Sequence, residues 1–338
     1  MDKNKIVLVI GLMLFLGTSC YAVPWATMWW KGDDSYDQSI DCRWNEPRNW
    51  YNKGVGEYDM VIPGPNEIVC LNGGQATYPP IIDNNNVGAA RAECNDLWMP
   101  DWQKELNKPF TLLMVGGELY IHREFVIGRC GEDPYSVPPK TFIDTGILDL
   151  QAGAITVVHN LSVGGRGNNY GTLTGGTGTI NITGGSITCA VLFIPEGSSA
   201  SGAKGTVNLD GGIIDANRFT MDANGFIYVT DGKLIVDGDK LSQINGYISL
   251  GKINAGSSYY TLDVVYDSDA DTTTLFATTD CGSGADLYSD CFIDIKDLAI
   301  MAANWLAVGS NDADLNGDGI VNFRDYAELA SQWLTTLP

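Results

Sequence analysis

Between residues 286 and 334, oxygen-bearing side chains recur at a spacing that suits a hard cation. Asp314, Asn316 and Asp318 stand at positions one, three and five of a twelve-residue loop. Gly319 follows at six, Ile320 at seven, Asn322 at nine and Asp325 at twelve. Calcium takes six to eight oxygens at about 2.3–2.6 Å, and this spacing wraps carboxylates, amides and the Ile320 carbonyl around one point. Gly319 permits the left-handed turn that such a loop needs. Uncompensated carboxylates so close together repel, so ion uptake and local folding are expected to be coupled. Shifted by 28 positions the chain matches itself: Asp286, Asp290 and Asp297 align with Asp314, Asp318 and Asp325. In this first copy Asp294 stands at nine and Phe292 offers its carbonyl at seven, but Tyr288 and Cys291 occupy positions three and six. A non-glycine at positive φ costs about 1 kcal/mol or more, and a Cys281–Cys291 disulfide would hold that turn in place. One firm calcium site in the second copy and a weaker one in the first are expected.

The elements that must position these oxygens are short helices. Leu298, Met301, Ala302, Trp305 and Leu306 fall at helical spacing, and Tyr326, Leu329, Ala330, Trp333 and Leu334 repeat it. Each set gives one apolar stripe, so the two helices are expected to pack on each other and close a domain over 281–336. A domain this small needs support from metal and disulfide. Tandem loops of this pattern, ending in Asp and each followed by one helix, resemble a type I dockerin over about a sixth of the chain. The resemblance implies attachment of a secreted protein, in that family often a glycan-degrading enzyme, to a cohesin-like receptor. It implies recognition through loop positions ten and eleven, here Ile295-Lys296 and Phe323-Arg324. Both pairs are apolar–basic where the family commonly has small hydroxyl residues, and their symmetry allows two docking orientations.

The remainder reads as β structure. From about 110 to 256, glycine-headed alternating strands return every 20 to 36 residues, opening at Gly117, Gly153, Gly185, Gly212 and Gly232. Several are introduced by a second strand, as at Gly146, Gly178, Gly205 and Phe226. In such a strand Ile180 and Ile182 share one face, while Thr179, Asn181 and Thr183 share the other. The reading is a parallel β-helix, or β-solenoid, whose coils bury their apolar faces only by stacking; a sandwich of antiparallel strands is the alternative. Loops are expected to bulge between Arg129 and Lys140 and between Pro195 and Lys204. Two strands beginning near Tyr260 and Thr273 flank the acidic run 267–271, read as a solvated hairpin turn because no closing glycine or carboxylate follows. Residues 23–110 form an irregular cap holding seven of nine tryptophans, Trp44, Trp50 and Trp98 among them, expected mainly to pack rather than stack on sugars. The expected fold is therefore mainly β: an N-terminal cap, a solenoid with a terminal hairpin over 111–279, and a small all-α calcium-binding domain.

Lys3 and Lys5 precede an apolar run from Ile6 to Leu16 and a stretch of small residues. This reads as a secretory signal peptide over 1–22, cleaved after Ala22, with acylation of Cys20 as the alternative. No second stretch of membrane length follows, so the mature chain is expected outside the cell or at its surface, without a transmembrane segment. Among 338 residues, 41 are acidic and 20 basic, a formal charge of −21. That balance disfavours nucleic acid and anionic membranes and favours metal cations or neutral polysaccharides. In an oxidising compartment Cys42, Cys70, Cys94 and Cys130 are expected to form two disulfides, with Cys189 a small buried hydrophobe. With two histidines and no Cys-x-x-Cys pair, a zinc site is not expected. β-Helices host polysaccharide lyases and hydrolases, but the candidates Asp144, Asp149, Asp210, Asp215, Arg166 and Arg218 are scattered, as are His122 and His159. Glycoside cleavage needs paired carboxylates. The expectation is a non-catalytic surface or matrix protein displayed through its C-terminal module; a polysaccharide-degrading or glycan-binding protein of an extracellular complex is the alternative.

Overall fold

The computed structural model describes residues 28–30, 44, 50–52, 62–71, 80–83, 91–99, 109–128, 131–133, 140–142, 145–165, 175–196, 202–257, 260–279, 284–288 and 290–334. The signal-peptide segment 1–22, Cys42, Cys130, Cys281, Asp144 and Arg166 lie outside them. The described chain is mainly β, with an 18-stranded mixed sheet, a separate two-stranded pair and three short helices.

The N-terminal strands are β1 (Met28–Trp30), β2 (Trp50–Asn52), β3 (Ile68–Cys70), β4 (Ile81–Ile82), β5 (Ala92–Cys94) and β6 (Asp96–Met99). Then come β7 (Phe110–Ile121), β8 (Glu124–Ile127), β9 (Gly131–Asp133), β10 (Lys140–Phe142), β11 (Thr145–Val163), β12 (Thr177–Ile182) and β13 (Ser186–Ile194). The series continues with β14 (Lys204–Leu209), β15 (Ile213–Met221), β16 (Gly225–Val229) and β17 (Lys233–Asp237). After helix α1 (Leu241–Ser249) follow β18 (Ile253–Ala255), β19 (Tyr260–Asp267) and β20 (Thr272–Thr279).

Three parallel ladders organise these strands. One joins β7, the first part of β11, β12, β14, β16 and β18; a second joins the end of β7 and the middle of β11 to the first halves of β13 and β15 and to β17; the third, beyond a register shift between Val157 and Asn160, joins β6, β8 and the ends of β11, β13 and β15. Gly146 stands opposite Gly178, Gly178 opposite Gly205 and Gly205 opposite Gly225, so equivalent residues return after 32, 27 and 20 positions. The ladders also extend before residue 110, through β3–β6. Apart from an isolated Val308–Ile320 bridge, antiparallel pairing among the described residues is confined to β1–β2, β9–β10 and the terminal β17–β20–β19 run. A sandwich of antiparallel strands therefore does not describe this region.

Alternation puts every second side chain inside. Leu112, Leu148, Ile180, Val207, Ile227 and Ile253 stack in register as one buried column, and Leu119, Ile155, Ile187, Ile214 and Leu234 as another. Outside, Asn181 Nδ2 donates to Asp149 Oδ1 at 2.5 Å and Asn208 Nδ2 to Asn181 Oδ1 at 2.7 Å, so neighbouring polar positions satisfy each other. Glycine is required where strands of adjacent rungs meet. A Cβ on Gly178 would lie 2.2 Å from Gly164 N and 2.4 Å from the Ile127 oxygen, both backbone atoms. Gly185 turns the corner between ladders at φ 79°.

Trp44 and Trp50 are fully buried edge to face at 4.7 Å, and Trp98 is also buried, so these tryptophans pack rather than face solvent. The run 267–271 is the exposed β19–β20 turn, where Asp267 Oδ1 accepts from the Asp269 and Ala270 N–H groups.

Two expectations are corrected. The unit after Gly232 is not strand throughout: residues 241–249 form α1, whose Ile244, Tyr247 and Ile248 pack on the end of the core, with Tyr247 edge-on to Phe219 at 5.6 Å. Cys70 and Cys94 do not form the predicted disulfides: both are buried thiols, their side chains in separate clusters. Cys94 occupies the core column of Ile121, Val157, Cys189 and Ala216, while Cys70 sits with Ile68, Trp98 and Val126 in a separate cluster. Cys189 is buried as expected, and burial pushes its thiol up to about 12.

Candidate metal centre

The C-terminal segment folds as two loop–helix halves. Helices α2 (Ile295–Ala303) and α3 (Phe323–Ser331) each begin with a capping box. Asp294 and Asn322 are the caps, and their side chains accept from the N–H groups of Lys296 and Arg324. Asp297 and Asp325 complete the boxes, accepting from the N–H groups of Asp294 and Asn322 at 2.8 and 2.7 Å. The residue that closes each twelve-position loop thus also starts each helix.

Four bonds from backbone N–H groups to carboxylates repeat in the two loops. Asp286 accepts from the N–H groups of Asp290 and Cys291, and Asp314 from those of Asp318 and Gly319. Asp297 reaches the N–H of Tyr288 as Asp325 reaches that of Asn316. Asp290 and Asp318 accept from Phe292 N and Ile320 N. Position six is left-handed in both, with φ 63° at Cys291 and 86° at Gly319. The strain at Cys291 falls where the first copy lacks glycine, and Cys291 is disulfide-bonded to a residue outside those described.

The core of this module consists of three pairs 28 positions apart: Ala285 with Ala313, Ile293 with Val321, and Met301 with Leu329. The halves also exchange main-chain bonds. Leu306 N–H donates to the Val321 carbonyl at 2.9 Å, and Leu334 N–H to the Ile293 carbonyl at 2.8 Å. Leu306 and Leu334 both adopt positive φ to do so. Of the apolar stripes read from the sequence, Met301 and Leu329 are buried and Leu298 is half-buried; Ala302, Tyr326 and Ala330 are exposed within the helices, and Trp305, Leu306, Trp333 and Leu334 are exposed beyond the helix ends at Ala303 and Ser331.

Asp297 and Asp325 are wholly buried. Burial pushes the Asp325 carboxyl upward, but N–H groups of Asn322, Asn316, Asp325 and Leu315 outweigh it and hold the group below its ordinary value. At Asp286 burial dominates and raises the carboxyl, against the Cys291 and Asp290 N–H groups. Among the described residues no group of three or more His, Cys, Asp or Glu is arranged to hold a metal, since these carboxylates are turned onto the N–H groups of their own loops. Ile320 lends its carbonyl to Asn322 Nδ2 at 2.7 Å. The second loop still offers only oxygen, from Asp314, Asn316, Asp318, Ile320, Asn322 and Asp325, the donor chemistry of a hard cation.

The positions implied in recognition are open to solvent. Ile295 is 65% and Phe323 77% exposed, with Trp305 edge-on to Phe323 at 5.0 Å. Lys296 donates to Asp290 Oδ2 at 2.6 Å, and Arg324 lies 3.3 Å from Asp318 Oδ2.

Away from this module, the sequence candidates for catalysis stay apart: Asp149 bonds Asn181 and Asp210 bonds Thr230. Sequence reasoning missed a pairing across β5 and β7. Glu93 Oε1 lies 2.5 Å from His122 Nε2 and accepts from Arg91 at 3.0 Å, while the Arg91 guanidinium covers the Tyr120 ring at 3.8 Å. The signal for it was register: Glu93 stands opposite Tyr120, two positions before His122. No family model, no curated protein and no solved structure matches the chain.

Proposed function

We propose that this is an exported, non-catalytic surface or matrix protein, built on a β-solenoid and attached through a calcium-binding, dockerin-like C-terminal module. The observation that carries the reading is the two-fold repetition of that module, from its 28-spaced core pairs to its exchanged Leu306 and Leu334 hydrogen bonds. In the second loop Asp314, Asn316, Asp318, Asn322, Asp325 and the Ile320 carbonyl hold the ion. Bound calcium supplies positive charge that offsets the mutual repulsion of these carboxylates. The three in-register parallel ladders support the solenoid, as the faces of stacked coils. The segment 1–22 supports export.

Ile295 and Phe323, flanked by Lys296 and Arg324, form the surface for a cohesin-like receptor, one apolar–basic pair in each half. Chelator-treated full-length chain titrated with calcium is expected to take up the ion and to gain helical signal. Asp318→Ala should weaken uptake about tenfold or more; an unchanged affinity would remove the assignment. Docking is read by capture on an immobilised cohesin-type receptor, present with calcium, absent with chelator and weakened by Phe323→Ala.

A second reading rests on the Glu93–His122 pair beside Arg91 and Tyr120, which could bind or process a polysaccharide. It requires release of new reducing ends or unsaturated products from a polysaccharide panel, lost in Glu93→Gln. Silence across the panel favours display.

A further inference from the structure

We infer that the first loop is closed by the protein's own ammonium and a disulfide, so that the module takes a single calcium ion, in its second loop. The inference rests on the calcium reading given above and assigns it to one half of the repeat.

Three features of the first loop each take over a task that the ion performs in the second. Lys296 Nζ donates to Asp290 Oδ2 at 2.6 Å, placing a positive charge on the carboxylate at loop position five. The ring of Tyr288, where the second loop has Asn316, lies 4.8 Å from the same ammonium. That substitution removes an oxygen donor and adds a surface that attracts a cation. Cys291, where the second loop has Gly319, holds its φ of 63° and is disulfide-bonded, which fixes the turn covalently; Cys281, ten residues earlier, is the partner that the sequence offers.

The second loop keeps only a looser form of the first replacement and lacks the other two. Arg324 stands at the position equivalent to Lys296, but its guanidinium is 3.3 Å from Asp318 and its side chain is 79% exposed, against 50% for Lys296. Asn316 keeps an oxygen at position three, where it accepts from Asp318 N–H at 2.8 Å. Gly319 adopts φ 86° without a side chain. The halves thus share one backbone and differ in what neutralises it: a fixed side chain in the first, an exchangeable ion in the second. A divalent ion entering the first loop would have to displace Lys296 and find no donor at position three.

The test is calcium titration calorimetry on the chelator-treated full chain. One ion per chain is expected. Asp290→Ala should leave that binding unchanged, and Asp318→Ala should weaken it about tenfold or more. The double variant Tyr288→Asp with Lys296→Ala restores the missing donor and removes the ammonium, and is expected to raise the stoichiometry to two, with circular dichroism checking that it folds. Two ions in the unaltered chain, one of them lost with Asp290→Ala, would overturn the inference while leaving the calcium reading intact. A double variant that folds and still takes one ion overturns it as well. No uptake by the unaltered chain defeats the calcium reading itself and this inference with it.

Discussion

At the scale of single residues, position in the ladder matters more than residue type. Gly178 is the sharpest case, because the contacts a Cβ would make are with backbone of the adjoining rung and cannot be relieved by a rotamer change. Gly178→Ala is expected to cost about 1–3 kcal/mol or more, measured by urea unfolding of the full chain. Glu93 gives a pH signature. Its hydrogen bond with His122, chiefly, and the neighbouring Arg91 hold the carboxyl below its ordinary value. A depressed acid contributes stability that is present above its unfolded value and is lost as pH falls through its folded one. Stability should therefore drop on acidification below the ordinary carboxylate range, and Glu93→Gln should flatten that part of the profile of midpoint against pH. Alternation made Ile180 and Ile182 legible as core from sequence alone. Cys94 was not, since only the pairing of β5 with β7 reveals that it continues the column of Ile121.

At the scale of elements, the loop–helix halves were legible because their residues are fixed by local spacing. The capping boxes at Asp294 and Asn322 follow from that same spacing. Asp294→Ala should destabilise the module by about 1 kcal/mol, read from the loss of helical signal on heating. The extent of the apolar stripe was misjudged, because sequence periodicity runs on past Ala303 and Ser331 while the backbone turns to exchange bonds at Leu306 and Leu334. The core that remains is six residues, so each large member carries much of it. Met301→Ala and Leu329→Ala should each cost about 2–5 kcal/mol and, by their equivalent positions, similar amounts. The measurement is loss of module helicity with the sheet signal retained. Helix α1 escaped sequence reading for a different reason: it contains Gly246 and has no side-chain cap.

At the scale of the whole molecule, repetition of two kinds governs behaviour. On the proposed calcium reading, a saturating concentration of the ion should stabilise the C-terminal repeat alone, by about 2.7 kcal/mol at one hundred times the dissociation constant. Differential scanning calorimetry with and without chelator would show one transition moving and the sheet transition fixed. The parallel ladders were legible as recurring glycine-headed strands. Their partners were not, because unequal returns of 32, 27 and 20 positions hide the register until the chain is folded. One of those returns has a further consequence. From Thr177 to Lys204, from Ser186 to Ile213 and from Val191 to Arg218 all three ladders advance by the same 27 positions. Splicing Thr177 directly to Gly205 would remove one strand from each ladder and set β14 and β15 against the partners that β12 and β13 have in β11, narrowing each ladder by about 4.8 Å. The width of the sheet is thus an adjustable quantity, one that duplication or loss of a gene segment can change without redesigning the strands on either side.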